Sequence, residues 1–354
     1  MPTDAAALGT ARPYVRARGW DPASVRATRY AIGITAACAI ALGAAWPMSF
    51  LTPVLVATFL GQPKGLTLKA GVAFFAMVAV ACAASFGVTL LLDYPAAFFL
   101  ISVLGLFLIQ DRSQAGMAPM LATWLTIALL LIPFLGVQST LLALTVAQAL
   151  LFGIAVAVLI AWLTCVAIPD PTEPGSGSAA KAVAAPPALP PADVRFRNAL
   201  RSTLVVLPLF FYFHAAELLS DALILIFAGL LSGNPAFSQG FKGGSMMLLA
   251  NALGGAVAIV LYNLLILAPS FAFLLLAIST VALIFGGRVF SGTKTAPLFA
   301  SGMSTVLLII GSVTTSTAEA DAKVYTRLAQ ILFVVVYLVF ANWLIDALWR
   351  RKVR

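Results

Sequence analysis

Two polar stretches, GQPKG (61–65) and GNPAFSQGFKGG (233–244), interrupt long apolar runs and decide how the chain is organised. Both open with a glycine, a polar residue and a proline, and both contain a lysine. Arg29 and Arg201 each lie 32 residues before the opening glycine (61 − 29 and 233 − 201). The two copies are therefore offset by 172 residues (233 − 61), which indicates an internal repeat.

The composition places the chain in a membrane. Of its 354 residues, 62% are hydrophobic and 9% are charged, and the mean hydropathy is +1.05. A water-soluble domain of this length cannot bury so much apolar surface. The apolar runs are continuous and rich in Ala and Leu, which is typical of spanning helices and not of barrel strands. We predict an all-α, polytopic transmembrane helical bundle with the lipid bilayer as its partner.

About twelve apolar segments are predicted, judged against the roughly 20 residues that a spanning helix needs. The first six are 29–46, 48–61, 68–92, 95–110, 117–135 and 139–164. The second six are 201–218, 220–233, 243–267, 269–287, 296–313 and 326–348. The predicted divisions are a cytoplasmic N-terminal tail (1–28), a first six-helix repeat (29–165), a disordered Pro/Ala-rich cytoplasmic linker (166–195), a second six-helix repeat (196–348) and a basic cytoplasmic tail (349–354).

The basic residues fit a topology in which both termini are cytoplasmic. If each segment crosses once, only Lys323 and Arg327 lie outside, which leaves 19 of the 21 lysines and arginines (21 − 2) inside. This distribution follows the positive-inside rule. It accounts for the net charge of +9 without any nucleic-acid partner. The sequence is compatible with a homo-oligomer.

An even number of helices in each half makes the halves parallel repeats, related by a pseudo-twofold axis along the membrane normal. Further pairs support the repeat: Lys69 with Lys242, Arg112 with Arg288, and Ala118-Pro119 with Ala296-Pro297. Loop insertions would explain why the offset drifts to 178 (296 − 118). This architecture is shared by many secondary transporters and is uncommon among membrane enzymes.

The second helix of each half is predicted to be short, and the first copy is interrupted by proline. Paired broken helices indicate a transport site, because they free backbone groups for a ligand. The alternative is that these helices tilt little or re-enter. The substrate-path candidates from these segments are Pro47, Pro53, Gly61, Pro63, Gly233 and Pro235. The lysines beside them would attract anions to a cytoplasmic mouth or only fix the topology; they are Lys64, Lys69 and Lys242.

Ionisable and polar side chains within the apolar segments supply the other candidates. His214, Glu217 and Asp221 have helical spacing and would share one face. Histidine changes charge near neutral pH, so the three are proton-coupling candidates; the alternative is a periplasmic interfacial position. Further substrate-path candidates are Trp124, Asn251 and Asn263, for which hydrogen bonding between helices is the alternative. Trp46 has the position of an interfacial belt residue.

Several classes of protein are excluded by missing motifs. The chain has no GxxxxGK[ST] loop, no HExxH and no GxSxG. Its three cysteines lie in apolar runs without metal-ligand spacing. We therefore predict no enzyme, no cofactor and no metal, and the energy for transport would come from a proton gradient or from a partner.

The stretch VRATRYAIGITAACAIALGAAWPMSFLTPVLVATFLGQP (25–63) resembles the opening helix pair of the fusaric acid resistance and aromatic acid exporter group of inner-membrane proteins. RFRNALRSTLVVLPLFF (195–211) looks like its repeated copy. The chain resembles a compact branch, because it lacks the large cytoplasmic domains of many relatives. The resemblance implies a bacterial inner-membrane exporter of small aromatic or anionic organic compounds. It also implies a periplasmic membrane-fusion adaptor and an outer-membrane channel as partners. A non-transporting accessory subunit or a passive channel are the alternatives.

Overall fold

The structure, a computed structural model, is all-helical, and no strand occurs in the part of the chain that it describes. The described residues are 21–46, 48–62, 65–117, 119–169, 189, 191–215, 224–225 and 241–314, together with 329–347 except 331, 335, 339 and 346. These residues form two groups of helices on either side of the Pro/Ala-rich stretch.

The first group has six helices that follow one another closely. They are α1 (Pro22–Ala44), α2 (Leu51–Leu60), α3 (Leu68–Thr89), α4 (Pro95–Gln114), α5 (Pro119–Gly136) and α6 (Thr140–Ala167). Their starts are set by proline in the first turn of α1 and α4, and by hydroxyl caps at α3 and α6. For example, the Ser139 hydroxyl accepts from the backbone N–H of Leu142 at 3.4 Å.

The second group is described as α7 (Ala192–Ala215), α8 (Phe241–Leu267), α9 (Phe271–Val289), α10 (Ala296–Thr314) and α11 (Leu332–Ile345). Ile224 and Leu225 are helical as well. The predicted segments agree with these helices within a few residues, except that α1 and α7 begin seven and nine residues earlier than predicted (29 − 22 and 201 − 192). Their first turns are polar, so an apolar-run criterion misses them. The stretch between α6 and α7 is therefore 168–191, which is shorter at both ends than the predicted linker, 166–195. Most of that stretch lies outside the described residues.

Six helices are long and apolar enough to cross a bilayer, which makes the chain a membrane protein. They are α1, α3, α4, α6, α8 within Leu249–Leu267, and α9. Several of them expose large apolar side chains, such as Val80, Leu100 and Leu276. Hydrocarbon tails are as apolar as a protein core, so these side chains mark a lipid-facing surface.

Three of the shorter apolar helices, α2, α5 and α10, form much of the interior. All residues of α2 except Thr58 are buried, and so are the stretches 127–133 of α5 and 305–311 of α10. The centre of α2 contacts α1 and α6 of its own group and α10 of the second group. A helix that is apolar on every side can lie in a protein core or face lipid. The contacts of α2 with three other helices place it in the interior.

Buried positions recur between two pairs of helices, with one offset for each pair. Every buried residue of α7 lies 172 residues after a buried residue of α1; the α7 residues are Ala199, Thr203, Val205, Val206, Leu209, Phe210 and Phe213. Every buried residue of α4 lies 176 residues before a buried residue of α9, where Phe98, Ser102, Leu106 and Gln110 match Leu274, Ile278, Ala282 and Gly286. The buried residue Phe285 of α9 has no buried match in α4.

Candidate functional site

The connection between α1 and α2 is a strained break inside an otherwise helical region. Ala45 and Met48 have φ angles of 50° and 59°, in the left-handed region. A residue with a Cβ adopts this region at a cost of roughly 1–2 kcal/mol, and such strain persists only where the surroundings enforce it. Helix α2 has 10 residues, so it is about 15 Å long. That is half of the roughly 30 Å of hydrocarbon in a bilayer, so α2 does not span it alone.

Helix α6 supports the start of α2 through two adjacent residues. Thr52 donates its hydroxyl hydrogen to the carbonyl oxygen of Gly153 at 3.3 Å, in a buried setting. The ring of Phe152 meets the ring of Trp46 edge-on, with 5.0 Å between the centroids. Gly153 has no side chain, and a Cβ there would lie 2.9 Å from Thr52 Oγ1 and 3.8 Å from Trp46 Nε1. Two polar side chains therefore converge on one glycine.

Two buried polar atoms at this break have no hydrogen-bond partner among the described residues. They are Oγ of Ser49, a residue that is 0% exposed, and Nε1 of Trp46. A buried donor without a partner costs about 1–3 kcal/mol. The burial of Nε1 does not fit the interfacial-belt interpretation of Trp46, because a belt residue turns its indole nitrogen to the headgroups.

The other end of α2 is packed around glycines and an arginine. Gly33 of α1 faces Leu60, and Gly65 after α2 faces the sulfur of Cys165. Arg29, only 2% exposed, donates from Nη1 to the carbonyl oxygen of Ile168 at 3.3 Å. A positive group is favourable at the C-terminal end of a helix such as α6.

The second group contains a matching arginine contact. Arg201 of α7 donates from Nε to Oδ1 of Asn342 at 3.0 Å and from Nη2 to the Asn342 carbonyl oxygen at 3.4 Å. The two arginines are 172 residues apart (201 − 29), and their carbonyl partners are 174 apart (342 − 168). In each group, an arginine of the first helix thus donates hydrogen bonds to a residue in, or directly after, the last helix.

The proline, glycine and lysine candidates are only partly within the described residues. Pro53 is buried in α2, Gly61 caps its C-terminal end, and Lys69 is exposed in the first turn of α3. Lys242 belongs to α8, and its side chain is not described. The candidates that lie outside the described residues are Pro47, Pro63, Lys64, Gly233, Pro235, Glu217 and Asp221.

His214 lies at the end of α7, among aromatic rings of α4. Its ring stacks on Phe98 with 4.7 Å between centroids and approaches Phe99 at 5.5 Å and Phe210 at 5.8 Å. The side chain is half-buried. The imidazole is therefore held between α4 and α7 and is not free to turn outward.

The remaining substrate-path candidates do not meet at one place. Trp124 is buried in α5. Asn251 of α8 accepts a hydrogen bond at Oδ1 from the Thr305 hydroxyl of α10, at 2.7 Å. Asn263 is exposed and donates to the carbonyl oxygen of Ile259 in its own helix, at 2.9 Å. The bond of Asn251 joins two helices, as the alternative interpretation supposed.

A groove of about 450 Å³ opens on the lipid-facing side between α8 and α9. Its walls run from Ala256 to Leu264 on α8 and from Phe273 to Val281 on α9, and Thr280 supplies the one hydroxyl among the lining residues. That hydroxyl donates to the Leu276 carbonyl oxygen at 2.9 Å. The groove thus offers little to orient a polar ligand, and the start of α2 is the better candidate.

Sequence reasoning passed over the polar residues that the structure brings together. Trp46, Ser49 and Thr52 are spaced three apart on either side of Pro47, in a stretch noted for its prolines and for Trp46 as an interfacial residue. The available signal was a run of polar side chains recurring every third residue beside a predicted helix break.

One family model matches the chain. It covers residues 26–164 and is described as a protein of unknown function (DUF2955). The matched range runs from α1 to the last turn of α6. No curated protein and no solved structure matches the chain.

Proposed function

We propose that this chain is a secondary transporter of the bacterial inner membrane that exports small, aromatic or anionic, organic compounds by proton coupling. Its architecture would be twelve helices in two parallel six-helix repeats, with both termini cytoplasmic. One observation carries the proposal: a short, strained and fully surrounded helix, α2, lies where the two groups of helices meet. Broken helices at the interface of repeats are where transporters hold their substrates.

The helix neighbours support the two-repeat architecture. In the two-repeat architecture, α7 is the counterpart of α1, and α9 is the counterpart of α4. The contact of α1 with α9 therefore has the contact of α7 with α4 as its counterpart, and both contacts are present. The contacts of α3 with α5 and of α4 with α5 likewise have counterparts in α8 with α10 and α9 with α10. The hydrogen bonds of Arg29 and Arg201 and the recurring buried positions also support two repeats.

A twelfth helix at 220–233 would be the counterpart of α2. Ile224 and Leu225 are described there, and both are helical and buried. An offset of 172 pairs them with Thr52 and Pro53, which are also helical and buried. This agreement favours a second short helix beside the pseudo-twofold axis.

The proposed path runs along this axis, between the two short helices. Lys69 is exposed near the end of α2 where the chain exits toward α3, which suits the attraction of anions to a cytoplasmic mouth. His214 would couple the proton, because an ionisable residue within a membrane bundle is a candidate for a proton relay. No catalytic or nucleotide-driven step is part of the proposal, and an outer-membrane channel with a periplasmic adaptor would complete the route.

The test is uptake of radiolabelled 4-hydroxybenzoate into inside-out vesicles that contain the chain. We expect uptake when a proton gradient is imposed and its loss on adding an uncoupler. Vesicles with His214→Gln should lose the dependence on the gradient, whereas Asn263→Ala, at an exposed position, should behave like the wild type.

Two results would replace the proposal with its alternatives. Equal uptake with and without the gradient would indicate a passive channel. A non-transporting accessory subunit would give no uptake when the chain is reconstituted alone, and none when a copurifying periplasmic adaptor is added back.

A further inference from the structure

We propose that the break between α1 and α2 is a binding site for the anionic oxygen of a small organic ligand, with Trp46 Nε1 and Ser49 Oγ as the hydrogen-bond donors. The proposal rests on the proposed function, in which such a ligand would be the transported molecule. It is based on the two unpartnered buried atoms and on Gly153, which lies beside the Trp46 nitrogen.

Trp46 Nε1 and Ser49 Oγ can both donate hydrogen bonds, so a ligand at this site needs acceptor atoms. The indole nitrogen of Trp46 can only donate a hydrogen bond, and the Ser49 hydroxyl can donate one. The Thr52 hydroxyl hydrogen is already given to the Gly153 carbonyl oxygen. Two donors without partners, both withdrawn from water, therefore call for oxygen atoms from a ligand.

The position of the break at the start of α2 favours a ligand with a negative charge. Ser49 lies two residues before Leu51, the first residue of α2. The N-terminal end of a helix carries a partial positive charge, which favours carboxylates and other oxyanions over neutral groups. A cation is disfavoured at this end of the helix, and the indole N–H of Trp46 has no lone pair with which to coordinate one.

Helix α6 shapes the site around the donors. The edge-on contact with Phe152 fixes the plane of the Trp46 indole, and therefore the direction of its N–H. Gly153 lets Thr52 approach α6 closely, because a Cβ there would lie 2.9 Å from Thr52 Oγ1, and it would lie 3.8 Å from Trp46 Nε1. Gly153→Ala should therefore displace the Thr52 side chain and place a methyl group against Nε1 without removing either donor.

The experiment follows Trp46 directly by fluorine NMR. The full chain is labelled with 5-fluorotryptophan in lipid nanodiscs, and the Trp46 resonance is assigned with Trp46→Phe. Benzoate is the anionic probe, and benzyl alcohol is the neutral probe with the same ring. We expect benzoate to shift the Trp46 resonance saturably and benzyl alcohol to leave it in place.

Three variants separate the site from nonspecific effects. Ser49→Ala should weaken benzoate binding by about 10- to 100-fold, since it removes one hydrogen bond to a charged group. Gly153→Ala should weaken it as well. Thr58→Ala is the matched control, because that hydroxyl donates to the Val54 carbonyl oxygen of its own helix at 2.8 Å.

The proposal is overturned if the Trp46 resonance does not respond to benzoate, or responds equally to benzyl alcohol. It is also overturned if the resonance moves only when water is exchanged for heavy water, since water alone would then satisfy the donors. Vesicle uptake of benzoate separates this result from the proposed function. Gradient-driven uptake without a Trp46 response would refute the site alone, and a Trp46 response without uptake would refute transport alone.

Discussion

Gly254 of α8 packs closely against α10, so we predict that Gly254→Ala destabilises the protein. A Cβ on Gly254 would overlap the carbonyl oxygen of Gly302, and would lie 2.8 Å from Thr305 Cβ and 3.1 Å from the Gly302 carbonyl carbon. Two of these three atoms belong to the backbone, so no rotamer change relieves the overlap. The two helices have to move apart.

The cost follows from what that separation removes. Overpacking of a tight contact costs about 1–3 kcal/mol. The nearby Thr305–Asn251 hydrogen bond, 2.7 Å long, would also lengthen, and such bonds in membrane bundles contribute about 0.6 kcal/mol on average. Alanine recovers up to about 1 kcal/mol through its higher helix propensity. We expect a net loss of about 1–3 kcal/mol and a lower melting temperature in detergent.

Gly287→Ala in α9 is the matched control for this prediction. A Cβ at Gly287 would have no atom within 4 Å. The same substitution should there leave the melting temperature unchanged or raise it slightly. Equal melting of Gly254→Ala and wild-type protein, or an equal drop in both variants, would refute the packing that we describe.

Three further variants test the contacts within and between the helices. Arg29→Ala should lower the free energy of unfolding by about 2–4 kcal/mol, since it leaves the Ile168 carbonyl unpaired and opens a cavity; Arg29→Lys should recover part of the loss. Thr305→Val should cost about 0.5–1.5 kcal/mol, whereas Thr280→Val, which loses only a bond within its own helix, should cost less than that. Ser49→Ala should be neutral or stabilising in thermal unfolding, because the hydroxyl it removes is buried without a partner. A loss of stability in Ser49→Ala would mean that the hydroxyl has a structural partner.

Most of the fold could be read from the sequence, because each apolar run is bounded by a proline, a hydroxyl cap or a charged residue. Pro95 and Ser139 mark the starts of α4 and α6 closely. Apolar length alone failed where a helix extends beyond the hydrocarbon. The turn after Pro22 and the turn after Ala192 are polar, and their helical structure shows in backbone hydrogen bonds, such as those from Val25 to Asp21 and from Arg195 to Pro191.

The candidate site was harder to predict, because burial depends on helices that are distant in sequence. Nothing near Trp46 indicates that Phe152 and Gly153, over 100 residues later, cover its nitrogen. An interfacial position was the natural interpretation of a lone tryptophan at a helix end. Asn263 illustrates the converse, since an amide in an apolar run faces outward and bonds to its own helix.

The most direct test of the transport path is cysteine accessibility along α2. Single cysteines are placed at positions 49–60 in a chain without Cys38, Cys82 and Cys165, and vesicles are treated with a charged thiol reagent that does not cross the membrane. The path predicts a stripe of reactive positions whose labelling changes when a proton gradient is imposed. If every position of α2 stays unreactive with and without the gradient, α2 is a sealed core helix and the proposed path is wrong.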